Sequence, residues 1–255
     1  MKGAWTVTAY TLKEMSRSHY WITLTILCFS VALGYISMAD GGGIEKALTF
    51  SSFFARTFLW MAAIYMGVML PTVEIRDYRI RLILTRPISN FAYLAGKYLA
   101  GLAYLSILAL CFGVIMYVLS LVKGTGSYPA SLYYSMHLVP LFSCHMAMIM
   151  AFVLMVPPRP IVGLFAVIAY LDTYFHLTLR ALENSSDLWA RYLAYPIFFA
   201  VIAILPPTEK YLVTYGELAA ADFMWISYLW LIVYAFNYAV LSILVGAYFL
   251  GNREL

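Results

Sequence analysis

The sequence predicts an all-α membrane protein with six transmembrane helices, and three observations carry that expectation. Of its 255 residues, 64% are hydrophobic and only 11% charged, where a soluble domain carries roughly a quarter charged residues. Uncharged windows of about 20 residues, enough helix to cross a hydrocarbon core of about 30 Å, recur along the chain. The cations gather on alternate connections between those windows. With 15 Gly and 10 Pro and no Ser- or Gln-rich tract, residues 1–255 read as one transmembrane domain without a linker or a second soluble part.

The first element is a helix over 4–18. At 100° per residue it places Trp5, Thr8, Ala9, Leu12 and Met15 on one face and Thr6, Lys13, Glu14 and Arg17 opposite. Tyr10 and Val7 interrupt the stripe. That pattern suits a helix lying in the membrane interface or an extension of the first span. The first span is 20–38. Ser37-Met38-Ala39 has the small-x-small form of a signal-peptidase site, but the long apolar run and the preceding Glu14 favour an uncleaved anchor.

The second span is 57–73, the third 98–122 and the fourth 131–156. The fifth, 161–179, tolerates one acid, Asp172, and the sixth is 223–250. Between the last two, 192–207 is apolar but interrupted by Pro196 and closed by Pro206-Pro207, which suits a re-entrant or interfacial segment better than a seventh crossing. With the N-terminus inside, six spans put ten Lys and Arg against four acids on the cytoplasmic side, and six against seven on the other. Both termini are therefore expected in the cytoplasm.

The connection between the second and third spans is unusual for its charge. Wound into a helix, 74–86 carries Glu74, Asp77 and Arg81 on one side and Arg76, Arg79 and Arg86 on another, with Ile75, Ile80, Leu82 and Leu84 between. A helix charged on two sides suits protein on one and headgroups on the other. Pro87 ends it, because Pro has no N–H to donate and biases Arg86 away from helical angles. Ser89 or Asn90 can then cap a new helix that begins at Phe91 and runs through Tyr93, Gly96 and Lys97 into the third span. An orientation-setting basic loop would explain the arginines but not the acids or the Pro-Ile-Ser-Asn punctuation.

This order of acid, basic helix, Pro-Ile-Ser, Tyr93 and Gly96-Lys97 resembles the permease subunits of type-2 ABC transporters. The likeness is greatest to the compact permeases found beside gliding-motility and nitrous-oxide-reductase-maturation ATPases. The amphipathic N-terminal helix, the apolar insertion before the last span and the Asn252 to Leu255 ending are similar too. The resemblance implies that 74–90 is a coupling helix gripped by a separate cytoplasmic ABC ATPase, with Glu74, Asp77, Arg79, Arg81, Arg86 and Pro87 at the contact. It implies a second permease copy or a paralogue, and the inner membrane of a bacterium or archaeon. The chain itself has no G-x-x-x-x-G-K-[ST] motif, so ATP and Mg are expected on the partner, and this chain is expected to bind no cofactor and to be no enzyme.

Other chemistry is thinner. His137 and His145 are eight residues apart, about 12 Å along a helix, too far to share a metal. Cys144 to Met150 contains soft ligands, but winding puts Met146 and Met150 on one face and Cys144 and Met148 on another. Both sets suit packing, as do the three cysteines, which lack C-x-x-C spacing. Asp172 is expected to line a cavity or pair with a tyrosine or histidine, because facing lipid would be costly. The net charge of +4 is spread by membrane side and does not point to nucleic acid. Membrane lipids are the other expected partner. The competing readings are a polytopic membrane enzyme or haem- or copper-handling protein, and an anchor subunit of an envelope machine.

Overall fold

The computed structural model describes residues 2–17, 44–76, 88–123, 128–155, 182–183, 189, 192, 194, 196 and 225–252. The chain divides into two compact units, Met1–Met155 with Val213–Leu255, and Val156–Leu212. The first unit contains five described helices: α1 (Lys2–Arg17), α2 (Ile44–Arg76), α3 (Asn90–Lys123), α4 (Tyr128–Met155) and α5 (Trp225–Gly251). Four of them are long and apolar enough to cross a membrane, over Ser51–Thr72, Asn90–Leu121, Ala130–Met155 and Tyr228–Gly251. These cover the second, third, fourth and sixth expected spans. The expected spans 20–38 and 161–179 lie outside the described residues, as does nearly all of 192–207.

Two of the helices outrun their expected spans. α2 has 33 residues and α3 has 34, about 50 Å each at 1.5 Å per residue, well beyond what a bilayer core requires. α3 begins at Asn90, one residue before the expected Phe91, and runs continuously into the span expected from 98. Ser89 is its N-cap: the Ser89 hydroxyl accepts from the Ala92 N–H at 3.2 Å and the Ser89 carbonyl accepts from the Tyr93 N–H at 3.0 Å.

α4 is the core. Of its membrane window 89% is buried, against 28–39% in the other three, and α2, α3 and α5 all pack on it. In lipid, apolar area gives helices no reason to associate, so close backbone approach at small residues must do so. The glycines show where. A Cβ on Gly67 of α2 would lie 2.9 Å from the Met146 carbonyl oxygen, and one on Gly101 of α3 would lie 2.6 Å from Met146 Sδ. Gly113 of α3 faces Leu132 and Ser135, and Gly246 of α5 faces Leu154 and Ala151. Small hydroxyl residues, Ser51, Ser52, Ser131, Ser135 and Ser143, are buried along the same seams.

The contacts also fix direction. Ser52 meets Tyr134, whose hydroxyl donates to the Ser52 carbonyl at 3.4 Å, while Gly67 meets Met146 and Ile149, so α2 and α4 run parallel. Gly101 meets Met146 and Gly113 meets Leu132, so α3 is antiparallel to both. Tyr228 meets Met136 and Gly246 meets Leu154, so α5 is parallel to α4. The end of α2, the start of α3, the end of α4 and the end of α5 therefore share one end of the bundle.

Pro140 lies inside α4 and removes the N–H that would bond the Met136 carbonyl one turn back. Tyr228 of α5 supplies a donor instead, its hydroxyl 3.5 Å from that oxygen, with its ring 5.9 Å from that of His137. This is how a membrane helix tolerates proline: a neighbour satisfies the freed carbonyl. We predict that Tyr228→Phe costs about 0.5–1 kcal/mol, and that the cost vanishes in a Pro140→Ala background, where the backbone N–H returns. A double-mutant cycle of unfolding in mild detergent measures the coupling. Equal cost in both backgrounds would show that the hydroxyl does not serve this carbonyl.

Candidate functional site

The shared end of the bundle is where α1 joins it, and the side of α1 that docks shares Thr8 and Met15 with the stripe expected from the sequence but not Trp5 or Ala9. Val7, Thr8, Thr11 and Met15 are buried, whereas Trp5 is 72% and Tyr10 60% exposed and Ala9 is exposed as well. The physical reason is Gly96. A Cβ there would lie 2.6 Å from the Ala4 carbonyl oxygen and 2.7 Å from Val7 Cβ, so the two backbones come together where α3 has no side chain. Only the narrow side of α1 fits that groove, and bulky Trp5 is turned out of it.

A hydrogen bond pins the contact. Thr8 Oγ1 lies 2.9 Å from the Ala4 carbonyl and 3.1 Å from the Gly96 carbonyl, so its single O–H is shared between its own helix and α3. Gly3 sits beside Ile88 and Ala92, and Ala4, Val7 and Thr8 beside Gly96. The two helices therefore run parallel from the shared end. Thr11, one turn on, is 2% exposed and its hydroxyl has no partner among the described residues, a cost that the seam carries for close packing.

One and two turns inside the Ser89 cap lie Tyr93 and Lys97, 1% and 3% exposed. At 100° per residue they fall between the face of α3 that meets α1 (Ala92, Gly96) and the face that meets α5 (Asn90, Leu94). Lys97 Nζ stands 5.8 Å from the Tyr93 ring centroid, within cation–π range. A lysine enclosed by helices within a membrane-length apolar window is costly, and such residues mark working parts of membrane proteins. The count of cations by side placed Lys97 among the ten on the cytoplasmic side, and the sequence set it on the helix that enters the third span. Its burial could have been suspected from its place one turn after Tyr93 and next to Gly96.

Of the expected ATPase-contact residues, Glu74 lies in the last turns of α2, at this same end. Asp77, Arg79, Arg81, Arg86 and Pro87 lie outside the described residues, as does Asp172. The structure does bring together what frames them: α3 starts beside α1 and beside Gly251 of α5, whose Cβ position is 3.0 Å from Asn90 Nδ2, and α2 finishes at the same end.

The soft and imidazole ligands of α4 do not converge. Cys144, His145, Met146, Met148 and Met150 are all buried, because α4 is surrounded rather than because one face is a site. His145 Nδ1 lies 3.3 Å from the Leu141 carbonyl and Cys144 Sγ 3.4 Å from that of Pro140, each one turn back on its own helix. Among the described residues, no group of three or more His, Cys, Asp or Glu is placed to hold a metal. No family model matches the sequence, and no characterised protein matches it significantly.

The α1 seam makes a direct prediction. Gly96→Ala forces a Cβ into the Ala4 carbonyl and should lower stability by about 1–3 kcal/mol and free α1 for proteolysis near Lys13. Gly3→Ala, whose Cβ would meet Ile88 at an ordinary 3.6 Å, should leave both unchanged. Thermal unfolding and limited trypsin digestion check the pair.

Proposed function

We propose that the chain is the transmembrane subunit of an ATP-driven transporter, a permease whose shared helix end receives a separate cytoplasmic ABC ATPase. The bundle then moves a substrate across, or extracts it from, the inner membrane of a bacterium or archaeon. The observation that carries the reading is the continuity of α2 and α3. The charged stretch 74–90 begins in the last turn of α2 and ends at the start of α3, helices of 33 and 34 residues that run from this end through the bundle along α4. A push on that stretch would reach the α3 span directly and the α2 span through Pro71, where the helix continues although proline has no N–H for the Gly67 carbonyl.

The placement of α1 supports the same reading. Docked on α3 beside the buried Lys97, it widens the end at which a partner would act, and its exposed Trp5 and Tyr10 suit lipid headgroups. Six crossings also agree with the described ends. α4 and α5 run parallel, which requires an odd number of crossings between them, and 161–179 supplies one, whereas a further crossing at 192–207 would make two. With six, the cation excess falls on the shared end, which becomes cytoplasmic together with both termini.

ATP and Mg belong to the partner in this reading, and a second copy or paralogue completes the permease. Glu74, Asp77, Arg79, Arg81 and Arg86 make the ATPase contact, with Pro87 closing the helix. A membrane enzyme or a haem- or copper-handling protein has less in its favour, since His145 and Cys144 bond their own backbone and do not converge with other ligands.

Reversing charge at Glu74→Arg and Arg79→Glu together should abolish co-purification of the ATPase while leaving the chain in the membrane. Retained association and undiminished ATPase stimulation would overturn the docking role.

A further inference from the structure

α5 has two faces with different fates. Leu231, Ala235, Ala239, Ile243, Gly246 and Leu250 are buried on the bundle, whereas Trp230, Leu241 and Tyr248 are more than 60% exposed. Exposure of apolar side chains to lipid is unremarked in a membrane helix. Asn237, however, is exposed at the centre of that outer face. It lies near the midpoint of the span Tyr228–Gly251, where hydrocarbon offers no hydrogen bond.

The amide is half used. Asn237 Nδ2 donates to the Val233 carbonyl one turn back at 2.9 Å, which leaves its second N–H and Oδ1 without a partner among the described residues. The hydroxyls of Thr57 and Ser106, also within spans, do not have this problem. Each spends its one proton on its own helix, at 3.0 Å to Phe53 and 2.9 Å to Leu102.

Around Asn237 the outer face has a seven-residue recurrence: exposed Trp230, Asn237 and Leu244 form one row, and exposed Leu241 and Tyr248, preceded by half-buried Tyr234, the other. That is the spacing of a helix that pairs along a seam, and one polar Asn in such a seam selects register and oligomer state. We propose that this face of α5 is the surface on which a second copy of the chain docks, with the two Asn237 side chains paired across a two-fold axis. The amide suits a copy of itself: each carries a free N–H and a free oxygen, so two related by a two-fold satisfy each other with two reciprocal hydrogen bonds. The proposal gives the second permease copy a location, but it stands on α5 crossing a membrane and not on the transport reading.

The test uses the full chain reconstituted in lipid vesicles, with the three native cysteines replaced by alanine and single cysteines introduced. On oxidation, Leu241→Cys and Leu244→Cys should give a disulfide-linked species of twice the chain mass. Phe236→Cys, which is 68% exposed but about 100° round the helix, should not. In the native-cysteine background, energy transfer between labelled copies should report association about 3- to 30-fold weaker in Asn237→Leu and preserved in Asn237→Gln.

No dimer band at 241 and 244, equal bands at 236, or undiminished association in Asn237→Leu would each overturn the proposal. The first result would assign the face to another part of the same chain or to a different protein. ATPase capture by the same membranes, read separately, keeps failure of this surface distinct from failure of the transport reading.

Discussion

α4 can be enclosed on three sides because its neighbours carry glycine where their backbones come closest to it. In hydrocarbon, burying apolar surface between helices gains nothing over contact with lipid, and association falls to close packing and the few hydrogen bonds that close approach permits. Gly67, Gly101, Gly113 and Gly246, on three different helices, each stand against α4 at distances that a methyl group would occupy. Met146, fully buried, is where two of these approaches meet. The bonds from Tyr134 to Ser52 and from Tyr228 to Met136 exist because the backbones are already this near.

The same device attaches the one described helix that is too short and too polar to cross. α1 meets α3 at Gly96, and the Thr8 hydroxyl bridges their backbones. A helix fixed in this way moves with α3 and not independently of it. Beside it, Tyr93 and Lys97 occupy the wedge between α1 and α5. In the proposed transport role, a push on the connection between α2 and α3 would therefore reach α1 together with α3, and a partner that changes shape would act on that linkage.

Much of this plan was legible in the sequence, and what was missed has physical causes. Long apolar windows report spans reliably because nothing else in a chain has to satisfy 30 Å of hydrocarbon. The Ser89 cap was readable because a serine after Pro87 and before a helix has one obvious task. The expected stripe of α1 held Thr8 and Met15, which dock, together with Trp5 and Ala9, which do not, because a groove made by glycine selects small residues and hydropathy does not register the groove. The sequence placed Lys97 on the helix entering the third span but gave no sign that it is buried, its charge being visible and its neighbours not. Asn237 escaped because one amide does not interrupt a window as apolar as that of α5. The charged residues 77–87 and Asp172 lie beyond what the described helices address.

The proposed transport role requires the shared helix end to face the cytoplasm, since a cytoplasmic ATPase can act only there. Ser89 and Asn252 are both exposed at that end, and cysteines at these positions can be labelled with a membrane-impermeant maleimide in intact cells and in inverted membrane vesicles. The transport role predicts that both are labelled in inverted vesicles alone. Labelling of either from outside intact cells would contradict it.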